Sequence, residues 1–193
     1  MSNVNRKYLK ELKRIGRVSD MMVTAHTSLK EKFTLLSLFS DVLLFSCSLL
    51  LAVIVFADPN ILIKYFGGNY TFGVGIFSIV TFIFSFVSRL LAWNVRAERH
   101  KYAFKTYMNF KFDAADLINK IENDEHANVE KFLERYHALT PTIIAIPEQA
   151  FLKYKRKHVI KVFISKYLDE HPSSSILLLK IKIWYNNNFK TVK

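Results

Sequence analysis

Residues 33–57 read FTLLSLFSDVLLFSCSLLLAVIVFA, a stretch of twenty-five in which Asp41 is the one side chain charged at neutral pH. A helix rises about 1.5 Å per residue, so roughly 20 apolar residues cross about 30 Å of hydrocarbon. Residues 70–88 read YTFGVGIFSIVTFIFSFVS, nineteen residues with no charge at all. The core helix of a soluble protein is apolar along one face, whereas these two stretches are apolar all round. The expectation is two transmembrane helices, over 33–57 and 70–91. The first apolar run lies too far into the chain, and is too long, for the core of a cleaved signal peptide.

Working outward, the flanks carry the charge. Residues 1–32 hold eight Lys or Arg against three acids, and residues 89–193 hold nineteen against eleven. The link 58–69 has one of each sign, so the net +12 of the chain sits outside the apolar pair. Basic flanks stay on the cytosolic side, which places both termini in the cytosol and the link outside. The charge is thus a topology signal rather than a sign of direct nucleic-acid binding. The link carries Pro59, Gly67 and Gly68, which fits a tight reversal. It ends in the triplet Asn69-Tyr70-Thr71, a chance match to a glycosylation sequon.

The reading is therefore an all-α membrane protein in three parts. Residues 1–32 form a cytosolic amphipathic helix in which Tyr8, Leu12, Ile15, Ser19 and Met22 share a face. That helix either lies on anionic headgroups or packs against the cytosolic part. Residues 33–93 form the transmembrane hairpin, and residues 94–193 a cytosolic helical domain. The second span is expected to continue into the latter without a break. Ala103, Tyr107, Phe110, Ala114, Leu117 and Ile121 recur at steps of four and three, a narrow seam that suits intrachain packing and oligomerisation equally. A shorter helix is expected over 128–139. Another begins at Pro147 as its first residue and runs to about Leu168. The run 176–185 contains LKIKIWY, which alternates like a strand but lacks a partner strand, and is read as helix.

Polar residues inside the apolar stretches are the candidate functional positions. Thr34, Ser37, Asp41 and Ser48 form a line on the first, and Ser78, Thr81, Ser85 and Ser88 a better one on the second. Small hydroxyls on one face either let helices approach and hydrogen-bond or line a water path once several hairpins assemble. Asp41 lies about 12 Å in from Phe33 at 1.5 Å per residue, and a carboxylate at such depth faces an interior or water. The alternative is that the span begins at Val42 and Asp41 caps it. Arg89 and Trp93 read as interface anchors, with Arg89 also within geometric reach of Asp41 across a hairpin. The basic run Lys153, Lys155, Arg156, Lys157, followed by Lys161, is either a solvated face or a contact for anionic lipid, a nucleotide or nucleic acid.

Nothing supports enzymatic chemistry. Glu134 and His137 have the spacing of a carboxylate–histidine metal half-site but no second copy, and no phosphate-binding loop is present. No metal or other cofactor is expected. The single cysteine, Cys47, excludes an intramolecular disulfide.

Taken together, the basic first helix, the close-set hairpin, the exit SRLLAWNVRAERHKYAFKTY and the segment ERYHALTPTIIAIPEQAFLKYK resemble the SLATT family. These are two-transmembrane effector domains of prokaryotic conflict systems, and the likeness covers nearly the whole chain. The resemblance implies an antiviral-defence effector in the inner membrane of a bacterium. Such effectors form pores or disrupt the membrane and cause growth arrest or death when triggered; two helices cannot enclose a water path, so a pore requires a homo-oligomer. It implies control by a separate partner encoded nearby, such as a nucleotide-signalling enzyme, a nucleotide sensor or a reverse transcriptase, and supplies no catalytic residues. The rival expectation is a membrane-anchored adaptor, whose hairpin only tethers cytosolic helices that dock a partner.

Overall fold

The computed structural model describes residues 3–57, 63, 67, 70–123 and 125–189. Every element among them is helical: α1 (Asn3–Phe56), α2 (Tyr70–Leu91), α3 (Trp93–Glu122), α4 (Val129–Leu139), a 3-10 turn (Thr140–Thr142), α5 (Glu148–Glu170) and α6 (Ile176–Phe189). The chain divides into two compact units, residues 27–102 and residues 1–26 with 103–193.

Helix α1 is unbroken from its basic start to the end of its apolar stretch. After Gly16 no glycine or proline interrupts residues 17–56, so nothing in the backbone stops the helix where composition changes. Between α2 and α3 the structure corrects the expected continuity. Ala92 adopts φ 46°, the left-handed region that costs a residue with a Cβ about 1–2 kcal/mol. The helical bond from the Arg96 amide to the Ala92 carbonyl, 3.1 Å, resumes immediately afterwards. Of the link, Gly67 has φ 79°, the conformation glycine adopts without strain. Pro59, Gly68 and Asn69 lie outside the described residues, while Tyr70 and Thr71 of the triplet open α2.

The larger unit is built around aromatic packing. Leu12 and Ile15 of α1 are buried with Ala103, Tyr107, Phe110, Ala114 and Ile121 of α3 and Val129, Phe132 and Tyr136 of α4. Phe110 sits at its centre, edge-on to Tyr136 (5.1 Å between centroids), Phe132 (6.2 Å) and Tyr107 (6.3 Å). The seam of α3 is therefore consumed inside the chain, as is the apolar face at the start of α1. Burial raises the hydroxyl of Tyr107 above its ordinary value. Around this core Lys13 pairs with Glu122 at 3.2 Å, Lys111 with Asp20 at 2.7 Å, and Tyr8 donates to Glu130. These ties lie at the surface, where an ion pair such as Lys111–Asp20 is worth about 0–1 kcal/mol.

Helix α4 starts where Asn128 accepts the Lys131 amide at 3.1 Å, capping an otherwise unsatisfied donor. Pro147 stands one position earlier than expected, at the cap rather than in the first turn, and its carbonyl accepts from the Phe151 amide at 2.8 Å. Residues 176–185 are helical in α6. The smaller unit consists of residues 27–56 of α1, α2 and the first turns of α3.

Candidate functional site

The two apolar stretches bury almost nothing of themselves. Among the described residues, eleven large hydrophobics between Leu35 and Phe56 and nine between Phe72 and Leu90 are exposed, reaching 89 % at Phe56 and 73 % at Phe72 and Phe82. Leaving a Leu, Ile, Val or Phe in water rather than burying it forfeits about 1.5–3 kcal/mol each. An apolar surface of that extent on one unit marks an interaction site for an apolar medium or partner.

Each stretch nevertheless has one sheltered stripe. On α1 it comprises Leu36, Ser37, Ser40, Leu44, Cys47, Leu51 and Ile54, with Ser40 only 7 % exposed. On α2 it comprises Val74, Phe77, Ser78, Thr81, Phe84, Ser88 and Leu91. Both recur at steps of three and four, the spacing of one face of a helix. The polar candidates divide along this line. Ser78, Thr81 and Ser88 belong to the sheltered stripe, and the Ser78 and Thr81 hydroxyls donate to their own helix, to the Val74 and Phe77 carbonyls at 2.9 and 2.8 Å. Ser37 is half-sheltered and donates to Asp41 at 3.5 Å. Asp41, Thr34, Ser48 and Ser85 are exposed.

At roughly 100° per residue, Thr34, Asp41 and Ser48 fall one above another, seven residues apart, on the rim of the sheltered stripe of α1. Leu38 and Phe45 stand beside that line, exposed 57 and 71 %. Arg89 is also exposed, and no ion pair joins it to Asp41 among the described residues. A Cβ added at Gly73 or Gly75, both exposed, would meet nothing within 4 Å. Packing inside the chain therefore does not require glycine there.

One end of the apolar pair carries an aromatic and basic girdle. Phe33 stacks nearly parallel on Trp93 (5.8 Å) and on His100 (5.5 Å), and the Arg96 guanidinium lies 5.4 Å from the Trp93 ring. Burial pushes the His100 imidazole below its ordinary value. Sequence pattern singled out Arg89 and Trp93 here but missed Phe33 and His100. Their meeting joins residues 67 positions apart, and single-helix periodicity carries no such signal.

In the larger unit, Lys153, Lys155, Arg156, Lys157 and Lys161 are all exposed along α5, while Tyr154 and Ile164 of the same helix are buried. His158, between them, turns inward, its Nδ1 2.9 Å from the Thr24 hydroxyl. A surface groove of about 580 Å³ lined by Asp113, Asp116, Lys131, Phe132 and Arg135 is crossed by the Arg135–Asp113 ion pair. Glu134 and His137 are exposed on α4, and no cluster of three metal-ligating side chains occurs among the described residues.

Comparison with family models, with curated proteins and with solved structures finds no match for this chain.

Proposed function

We propose that the chain is an integral membrane protein whose two apolar helices cross the bilayer as a hairpin and assemble with those of other copies to permeabilise it. The observation that carries this reading is the exposed apolar surface of residues 35–56 and 72–90, with one carboxylate, Asp41, on the rim of the sheltered stripe. Hydrocarbon would cover the first. A charged side chain left against lipid costs about 2.5–3.5 kcal/mol near the middle of a span, so Asp41 favours a water-lined contact between hairpins. Thr34 and Ser48 extend that polar line. Ser78, Thr81 and Ser88 hold the hairpin together, and exposed Gly73 and Gly75 allow a neighbouring helix to approach closely. The Phe33–Trp93–His100 girdle with Arg89 and Arg96 suits the interface on the basic, cytosolic side.

Biologically, the reading is a defence effector of a bacterial inner membrane, both termini cytosolic, released to act by a separate control protein. That part rests on the family resemblance of the sequence. The adaptor reading draws on a different observation: the seam of α3 is already buried inside the chain, so the cytosolic helices need no second copy to complete their core.

The experiment that separates the two is ion leak. Induced expression, with the partner where one is required, is expected to depolarise cells and stop growth, and the reconstituted protein to leak small ions from liposomes. Asp41→Leu is expected to lower the leak about tenfold or more, equivalent to about 1.4 kcal/mol in the barrier, with insertion intact. Asp41→Asn should fall between. Equal leak from all three proteins removes Asp41 from the path. No leak from any of them, with the partner and its trigger supplied, replaces the pore with the tether.

A further inference from the structure

Helix α6 presents two apolar faces. Leu179 is buried and Ile183 and Asn186 are half-buried, so these three, at steps of four and three, form its inward face. On the opposite side Leu177 (69 % exposed), Leu178 (65 %), Ile181 (54 %), Trp184 and Tyr185 (both 53 %) form one continuous patch. At roughly 100° per residue, that patch spans about 120° of the helix circumference, and Lys180 and Lys182 fall one on each side of it. The strand-like alternation of LKIKIWY is the trace of this arrangement: lysines on the rims, apolar side chains toward and away from the protein.

We propose that this outer face of α6 lies in the headgroup layer of an anionic lipid bilayer, as a second membrane contact besides the two apolar helices. Four features of α6 and its neighbour select a lipid surface over another protein. Trp and Tyr together on a face of branched aliphatics are the side chains that settle where hydrocarbon meets water. Lys180 and Lys182 flank the patch, so their stems can lie along it while the ammonium groups reach lipid phosphates. The neighbouring helix α5 repeats the mixture, with Leu152, Val159, Val162 and Phe163 exposed among Lys155, Arg156 and Lys166. No acidic residue lies within 176–189 to oppose an anionic surface. Each Lys or Arg close to such a surface adds to the attraction. Helix α6 is too short to span a bilayer, so it rests at the surface.

The inference builds on the bilayer reading above, and its test keeps the two apart. The chain has two tryptophans, Trp93 and Trp184. With Trp93→Phe, which keeps a ring against Phe33, Trp184 reports alone in the full chain. The protein is reconstituted in vesicles of phosphatidylcholine with phosphatidylglycerol, or of phosphatidylcholine only. Each lipid mixture carries a quencher high on the acyl chain, and acrylamide is added from the aqueous side. The expected result is strong quenching by the lipid label and weak quenching by acrylamide with phosphatidylglycerol present. High salt, or Lys180→Glu with Lys182→Glu, should reverse that order. Trp184 open to acrylamide in both mixtures, while the protein still resists carbonate extraction, overturns the inference and leaves the spans in place. Shielding that comes without lipid quenching and grows with protein density assigns the face to a second copy and overturns it equally. Equal lipid quenching in the neutral vesicles overturns the role of the lysines and of anionic lipid. Protein that fails to float with vesicles at all overturns both readings.

Discussion

Replacing Phe110 by Ala removes the ring on which the larger unit converges. The side chain is 1 % exposed, meets three aromatic rings at 5.1–6.3 Å and lies 5.9 Å from the Arg135 guanidinium. A fully buried Phe→Ala change costs about 3–5 kcal/mol through lost transfer energy and the cavity left behind. Each edge-on ring pair adds about 0.5–1.5 kcal/mol beyond area. The internal control is Phe112→Ala, two residues along the same helix but 62 % exposed, where the expected change is within about 0.5 kcal/mol. Hydrogen exchange of the protein in nanodiscs reads the difference locally. At tenfold per 1.4 kcal/mol, exchange across 103–121 and 129–139 should accelerate about a hundredfold or more for Phe110→Ala and hardly at all for Phe112→Ala. Similar rates for the two variants would refute the placement of the core.

Two further perturbations have signs that the structure fixes. Burial holds the His100 imidazole below its ordinary 6.5, so the unfolded chain takes up a proton that the folded chain resists. That stability is complete above about pH 6.5 and is lost as pH falls below it, toward the folded value. His100→Phe, which keeps a ring beside Phe33, should flatten the loss of melting temperature between about pH 7.5 and 5.5; an unchanged acid limb assigns it to another group. At Ala92, φ 46° means that Ala92→Gly should stabilise by about 1 kcal/mol, whereas Ala97→Gly, inside α3, should cost about as much. Both are read by thermal unfolding in detergent, and a loss for both would mean that Ala92 is ordinary helix.

The helices themselves were legible because the signals that make them are local: long apolar runs and seams at steps of three and four. The core of the larger unit was half legible. Tyr8, Leu12, Ile15 and Ser19 on one helix and Ala103, Tyr107 and Phe110 on another each stood out as a stripe, but a stripe does not name its partner. Intrachain packing claimed both. The uninterrupted passage of α1 from its basic to its apolar part was obscured by composition, which changes near residue 33 while the backbone propensity does not. The turn at Ala92 carried no signal at all, since alanine is the best helix former and only tertiary packing can hold it left-handed. Ser40 and Cys47 were passed over because neither extends a line of hydroxyls. Their position in the sheltered stripe emerges only when the half-buried apolar neighbours Leu36, Leu44 and Leu51 are counted with them. Thr34, Asp41 and Ser48, by contrast, share a rim simply because they stand seven residues apart.

Cysteine labelling decides whether residues 33–57 and 70–91 cross a bilayer with the larger helical unit on the cytosolic side. Cys47 is the one native thiol and lies within the first apolar stretch. In a Cys47→Ser background, a cysteine replacing Lys64 in the link should react with a membrane-impermeant maleimide added to intact spheroplasts. A cysteine replacing the exposed Lys161 of α5 should react only after the inner membrane is opened. In the native chain Cys47 should stay unlabelled until detergent is added, because hydrocarbon keeps the charged reagent away. Labelling of Lys161→Cys in intact spheroplasts with Lys64→Cys silent would reverse the topology. Ready labelling of Cys47 in opened membranes without detergent would contradict the spans themselves.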